Sequence, residues 1–545
     1  MRADLYLGDE AVAQGAIDAG IGGAFSYPGT PATEVFEHIE KHAPAHGIAA
    51  RWSANEKVAY EEALGMSYAG HRALVSMKHV GLNVAADPFM SSALTGVNGG
   101  LVVVVADDPG MHSSQNEQDT RFYGDFAKLP VFEPGTQQEA YDITREAFDY
   151  SEQIGLPVII RLVTRLSHSR ADVRRAEPTP PAPAPAVVTP DTDRWVLVPS
   201  NARRRYRHLL EVQEAVVADA ARSPHNRLRL GGPRGIVAAG IARNYVVEVL
   251  GAGGPTTSDY SLLELGMYPL PVELLRQLVA HTDEIYVFED GYPYIERQLS
   301  GLLGLKGKAI HGKLDGTLPP AGELSPDLVA QALFPGRPLP AVPADDLSAR
   351  PPQLCRGCPH GDSFRAIVEA TADAASPLLL SDIGCYSLGV MAPYRAIHTV
   401  VDMGASIGMA SGAAQSGAHP VVCTIGDSTF AHSGLPALLA AAHYDTNMTV
   451  VILDNSAVAM TGIQDSLLGG ERLVQAVLGL GVPPDHVIVI EPLAKLHADN
   501  VALLRREIDH RGLSVIIARR ACIHVNAKLK KRGAADATTV AEETR

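Results

Sequence analysis

The stretch VVCTIGDSTFAHSGLPALLAAAHYDTNMTVVILDNSAVAMTGIQ, residues 421–464, constrains the fold more than any other part of the chain. An apolar run is closed by Gly426-Asp427-Ser428, an alanine- and leucine-rich helical segment follows, and a second apolar run ends at Asn455. Two strands flanking a helix in this way form a β-α-β unit with polar residues at the strand ends. In a parallel sheet those ends face one crevice, so Asp427 and Asn455, nearly thirty residues apart in the chain, are expected to meet there. A carboxylate and an amide oxygen are hard ligands; with a backbone carbonyl, a diphosphate and water they suit octahedral Mg²⁺. The plainer alternative is an ordinary doubly wound sheet in which Gly-Asp and Asp-Asn are turn residues.

A chain of 545 residues is long enough for about three or four domains, each with its own core. At 46% apolar and 20% charged residues it reads as an ordinary globular protein. No apolar run approaches a membrane span, and MRADLYLGDEAVAQG has neither the charged start nor the hydrophobic core of a signal peptide. A cytoplasmic protein without a membrane partner is expected. The net charge of −15 argues against nucleic acid, whose phosphates need a basic face. The five cysteines, at 355, 358, 385, 423 and 522, sit in a chain with no export signal, which favours metal ligation or redox work over a disulfide framework.

Taken in order, residues 1–175 alternate helical segments such as GDEAVAQGAIDAG and ANEKVAYEEALGMSYAG with the strands RALVSMK, LVVVVADDPG and LPVIIRLV. That is an α/β domain with a mainly parallel sheet. The proline-alanine run within 176–198 reads as an extended spacer. A second α/β domain covers 199–335. Its RRRYR cluster suits a solvated helix face, or a grip on a phosphate-bearing ligand such as coenzyme A. GxxxxG at Gly235 to Gly240 lacks the following Lys-Ser/Thr, which rejects a Walker site. A proline-rich hinge, 336–352, leads to the last domain, 353–526, and a tail, 527–545.

The last domain opens with LCRGCPHGDSF. A Cys-x-x-Cys pair alone is compatible with zinc, a thiol redox couple or one edge of an iron-sulfur cluster. Cys385 and Cys522 complete a possible set of four with Cys355 and Cys358, and Cys423, in VVCTIGD, has the alternation of a core position.

The Gly-Asp-x run followed at this spacing by Asn resembles the thiamine diphosphate signature, and AVAMTGIQ is similar to the segment after that Asn in 2-oxoacid:ferredoxin oxidoreductases. With NEKVAYEEALG, MKHVGLNVAADP, VADDPGMHSSQNEQDTR, CRGCPH and GDSTFAHSGLPAL, the chain looks like the large alpha subunits of indolepyruvate ferredoxin oxidoreductases over nearly its whole length. The resemblance implies two doubly wound parallel-sheet domains of the thiamine-diphosphate-binding fold, one for the pyrimidine ring and one for the diphosphate, plus a transketolase C-terminal-like α/β domain. It implies Mg²⁺ on Asp427, Asn455 and the Ala457 carbonyl, with Gly404, Gly426, Ser428, Met460 and Thr461 around the cofactor. It also implies a 4Fe-4S cluster on Cys355, Cys358, Cys385 and Cys522. A carboxyl must protonate the pyrimidine ring. Glu34, Glu61 and Glu62 are available by composition, but the match to the family's helix selects Glu56, which otherwise reads as a first-turn residue complementing the helix dipole. Thr30, in YPGTP, takes the role of the threonine that meets the 2-oxoacid carboxylate, in a loop with Gly29 where relatives often carry Ile.

The implied reaction is oxidative decarboxylation of an arylpyruvate, with coenzyme A taking the acyl group and ferredoxin or another carrier the electrons. Such subunits pair with a smaller beta subunit, and a dimer of heterodimers is expected. No cysteine follows Cys522, so the two further clusters of a C-terminal ferredoxin-like domain are not expected, and KLKKR is either a basic tail or a dock for an acidic ferredoxin. Two rivals stand beside this reading: a non-oxidative thiamine-dependent decarboxylase, and an assembly subunit that has lost catalysis.

Overall fold

The computed structural model describes residues 3–180, 190–251, 259–336 and 352–525. The expectations placed on the hinge at 337–351 and on the tail after residue 525 lie outside these residues. The chain divides into two compact units, 1–342 and 343–545.

The first unit is built on a seven-stranded sheet. Its order is Met267–Tyr268, Val131–Phe132, Val158–Val163, Leu101–Asp107, Ala73–Lys78, Gly23–Ser26 and Ala49–Trp52. All neighbours are parallel except Met267–Tyr268, which runs antiparallel to Val131–Phe132. The central strands LVVVVAD and VIIRLV are buried along their whole length, as unbroken apolar runs must be when helices cover both faces of a parallel sheet. A second sheet orders Ala309–His311, Glu284–Phe288, Arg234–Ala239, Tyr260–Leu265 and Arg227–Arg229, with only the last antiparallel to its neighbour.

The strand Met267–Tyr268 thus belongs to the first sheet although it follows the second in the chain, and a buried ionic network seals the junction. Arg161 donates to Asp107 at 2.6 Å and to the Asp290 carbonyl at 3.0 Å, while Arg121 donates to Asp119 at 2.9 Å and to Glu289 at 2.8 Å. Both guanidinium groups are fully buried. Removing one partner from such a set costs about 3–5 kcal/mol, because an uncompensated charge is left inside. The segment expected to be a spacer is anchored at both described ends. Thr179 N donates to the Asp18 carbonyl at 2.7 Å, and Thr192–Trp195 forms a helical turn whose Trp195 ring stacks on Tyr68 with centroids 4.6 Å apart. Two arginines of the RRRYR cluster are also engaged, Arg205 with the Leu94 carbonyl and Arg204 with Asp193.

The second unit carries a six-stranded, wholly parallel sheet ordered Thr399–Val400, Leu378–Ser381, Val421–Gly426, Met448–Asp454, Leu513–Arg519 and Val487–Ile490. Val421–Gly426 and Met448–Asp454 are direct neighbours, with Gly426 opposite Leu453. Cys423 is fully buried in the core between the layers. Among the described residues no helix is long and apolar enough to cross a membrane.

Candidate active site

Asp427 opens the segment after Val421–Gly426, and Asn455 follows directly on Met448–Asp454. Both therefore stand at the carboxyl end of adjacent parallel strands, where α/β sheets bind their ligands. Asp427 is 2% exposed, and among the described residues its Oδ2 has no hydrogen-bond partner. Burial, reinforced by the nearby Asp454 carboxylate, pushes the Asp427 carboxyl up to about 7, against a smaller lowering by Ser466. A buried carboxylate oxygen without a donor is costly unless a cation takes its lone pairs. The chemistry of this corner therefore fits Mg²⁺.

Asn455 is held on three sides. Its Oδ1 accepts from Ala457 N at 3.0 Å, its Nδ2 donates to His360 Nε2 at 3.0 Å, and its carbonyl accepts from Cys522 N at 3.0 Å. Burial holds the His360 imidazole down to about 4, so the ring is neutral and its Nε2 can accept. That bond fixes the amide with its oxygen turned to the Ala457 side. Asp454 is spoken for by Arg519 at 3.0 Å and Gly470 N at 2.9 Å, which leaves Asp427 as the carboxylate of the pair with an unused oxygen.

The other residues expected around the cofactor fall in the same unit. Gly404 has φ +97° and precedes the helix Ala405–Gln415; a Cβ there would lie 2.5 Å from Ser433 Cβ. Asp382 pins this turn by accepting from Gly404 N at 2.9 Å and Ser406 N at 3.2 Å. Gly426 leaves room for the Tyr386 ring, 2.7 Å from where a Cβ would sit. Ser428 follows Asp427 and is partly exposed. Met460 is half exposed, and Thr461 closes a turn by donating to Gln464 Oε1 at 2.7 Å.

Cys355 and Cys358 share a turn in which Cys358 N donates to the Cys355 carbonyl at 3.0 Å. Cys358 then caps the helix Pro359–Ala370, which carries His360 to Asn455. The Cys385 thiol is pushed up to about 11, by burial first and then by Cys358, Cys522 and Cys355 in turn, so Cys385 lies within electrostatic reach of the other three. Among the described residues no three of them crowd closely enough to share one ion. That spread is wider than a tetrahedral zinc draws its ligands.

In the first unit, Glu56 begins the helix Glu56–Tyr68, whose cap is Asn55 Oδ1 accepting from Val58 N at 2.9 Å. It is 5% exposed, and Gly81 packs on it: a Cβ at 81 would lie 2.6 Å from Glu56 Cγ and Oε1. Thr30 is partly exposed, and its carbonyl accepts from Ser113 Oγ at 3.2 Å. Ser113 also takes the Lys78 ammonium on its carbonyl at 2.7 Å. Burial lowers Lys78 to about 8, with Asp108 opposing. Gly29 has Lys78 Cβ 3.0 Å from its own Cβ position, so the loop packs on this lysine where a larger side chain would press.

Sequence reasoning passed over Gly81, Lys78, His360 and Asp382. The first two lie in MKHVGLN and His360 in CRGCPH, motifs already singled out whole. The signal was present, but the partner of each residue was not.

The strand-end carboxylate, the tethered asparagine and the doubly wound sheets define a thiamine-diphosphate-dependent enzyme. Residues 382–518 match the family described as thiamine pyrophosphate enzyme, C-terminal TPP binding domain. Residues 14–192 match pyruvate flavodoxin/ferredoxin oxidoreductase, thiamine diphosphate-binding. The chain is 39% identical to indolepyruvate oxidoreductase subunit IorA of Archaeoglobus fulgidus, over 96% of this chain and 87% of that one. With the IorA of Methanothermobacter thermautotrophicus it shares 37% identity, over 96% and 88%. The chain belongs to the IorA family of 2-oxoacid:ferredoxin oxidoreductases. A 2-oxoglutarate:ferredoxin oxidoreductase from Magnetococcus marinus shares the fold, with TM-score 0.50 and 18% identity over 61% of this chain and 64% of that one.

Proposed function

We propose that this 2-oxoacid oxidoreductase acts on an arylpyruvate of the indolepyruvate type. The acid loses CO₂, its acyl group passes to the thiol of coenzyme A, and two electrons and two protons are released, the electrons going one at a time to ferredoxin or another carrier. Thiamine diphosphate, when bound, supplies the electron sink that decarboxylation of a 2-oxoacid requires. Asp427, Asn455 and the Ala457 carbonyl hold its Mg²⁺, with Gly404, Gly426, Ser428, Met460 and Thr461 around it. Glu56 presents a carboxyl proton to the pyrimidine ring, and Thr30 positions the substrate carboxylate. Cys355, Cys358, Cys385 and Cys522 carry one 4Fe-4S cluster. The relatives named above are subunits, and this chain works with a smaller partner subunit, paired as a dimer of heterodimers.

The observation that carries the reading is the buried, partnerless Asp427 Oδ2 beside an asparagine gripped from both cysteine segments. The test is anaerobic assay of the complex with a panel of 2-oxoacids and a viologen dye, with and without coenzyme A, alongside an iron assay. Dye reduction that needs an arylpyruvate, coenzyme A and bound iron supports the proposal. Iron-free protein that releases CO₂ without reducing the dye refutes its redox half.

A further inference from the structure

Twelve buried side-chain polar atoms lack a hydrogen-bond partner among the described residues, and four of them gather at one place in the first unit: both oxygens of Asp9, Glu34 Oε2 and Ser167 Oγ. Asp9 opens the helix Gly8–Asp18 and is 0% exposed; Glu34 lies in the first turn of Thr33–His46; His168 ends the turn Thr164–His168. One ligand atom from each of Asp9, Glu34 and His168 lies within 4.8 Å of the other two. His168 Nε2 stands 3.6 Å from Glu34 Oε2, an ion pair longer than a hydrogen bond. Burial pushes the Asp9 carboxyl up to about 8, with the neighbouring Ser167 hydroxyl opposing.

We infer that Asp9, Glu34 and His168 bind a divalent first-row transition ion. Two carboxylates and an imidazole are the mixed oxygen and nitrogen set such ions take, whereas Mg²⁺ and Ca²⁺ prefer oxygen alone. Bonds of about 2.0–2.2 Å place two ligands on one ion at most about 4.4 Å apart, so the three groups need move inward by only a few tenths of an ångström. His168 is partly exposed and already ion-paired with Glu34, so its ring lies on the side the ion would occupy. Among the described residues the remaining carboxylates with a buried partnerless oxygen are Asp290 and Asp427. Asp290 has the Lys313 and Arg161 charges beside it, and Asp427 is the assigned Mg²⁺ ligand. Asp9 has no Lys or Arg among its main electrostatic neighbours, only His168. An ion here ties the starts of two helices and a turn together, and Glu34 follows in the chain directly on the loop that carries Thr30.

The full chain, with saturating Mg²⁺ and thiamine diphosphate to occupy the other site, is stripped of transition metals and titrated with Mn²⁺, followed by electron paramagnetic resonance and elemental analysis. Wild type is expected to hold one more equivalent of Mn²⁺ than either Asp9→Asn or His168→Ala, and chelation is expected to lower its melting temperature but not theirs. The imidazole of His168 reaches solvent, so His168→Ala keeps the test open if the buried variant misfolds. Equal Mn²⁺ content in all folded variants, or an Asp9→Asn protein that is stabilised with its metal content unchanged, overturns the inference.

Discussion

Replacing Gly81 by alanine is the sharpest test of the role assigned to Glu56, because the change adds one methyl group at one place. The new Cβ would lie 2.6 Å from Glu56 Cγ and Oε1 and 2.8 Å from Cδ. Ordinary contact begins well beyond 3 Å, so the carboxyl must retreat by roughly 1 Å. Glu56 Oε1 and Cδ are the end of a flexible side chain, and the retreat costs rotamer energy rather than backbone. Gly81 sits inside the helix His79–Val84, where alanine is favoured over glycine by about 1 kcal/mol, and the two effects roughly cancel in stability. They do not cancel in function. A misplacement of about 1 Å at a proton donor costs on the order of 100-fold in rate, or about 2.7 kcal/mol of barrier. Anaerobic dye reduction should fall by that factor with the melting temperature held within a few degrees. Exchange of the reactive thiazolium proton, followed by NMR on bound cofactor, should slow in parallel, which ties the loss to the carboxyl rather than to substrate binding. Full activity with normal proton exchange would refute the assignment of Glu56.

Two further outcomes follow from charge. The Asp427 carboxyl is raised from its usual value of 3.8 to about 7, so the folded cofactor-free protein binds the extra proton between those values. Its stability therefore falls as pH rises through that window, and the penalty is complete above pH 7. Asp427→Asn should stabilise the cofactor-free protein at pH 8 by a few kcal/mol at most, on the order set by the shift, while calorimetry finds no Mg²⁺-dependent thiamine diphosphate binding; a destabilised variant, or one that still binds, contradicts the reasoning. His38 is shifted the opposite way for a base, from 6.5 down to about 4, chiefly by burial. The unfolded chain binds its proton first as pH drops, so stability is lost between pH 6.5 and 4. Denaturant midpoints of wild type and His38→Gln at pH 7 and pH 5 should show a smaller acid loss in the variant.

The parallel sheets were legible because their strands are unbroken apolar runs, LVVVVAD and MTVVILD above all, and such runs have few other places to go. Asp427 and Asn455 were legible as a pair because parallel strands end on one side. What stayed hidden depends on register between distant segments. Gly81 faces Glu56 across twenty-five positions, His360 reaches Asn455 across ninety-five, and Asp9 meets Glu34 and His168 from three separate elements. Hydrophobic periodicity says which face is buried but not which residue lies opposite. The stretch Thr192–Trp195 eluded a reading by composition for a related reason. The prolines before it describe an extended chain, but Trp195 finds the Tyr68 ring, and that stacking outweighs the local preference.

Asn455 also joins two segments that sequence treats as separate motifs. The Cys355–Cys358 turn reaches its amide through His360, and the Cys522 segment reaches its backbone through Cys522 N. Iron bound by these cysteines would therefore immobilise the two segments that orient Asn455, the proposed Mg²⁺ ligand, and losing it would release them. Groups that hold a ligand in place from behind are worth about 10–100-fold in metal affinity. Thiamine diphosphate and Mg²⁺ should accordingly bind at least about tenfold more weakly after iron is removed, and to Cys358→Ala by a similar factor, measured by calorimetry on the folded protein. His360→Ala should weaken binding while leaving the iron content intact, which separates the relay from the cluster itself. Identical affinity in iron-loaded and iron-free protein would mean that Asn455 is held by the sheet alone and that the two centres meet without influencing each other.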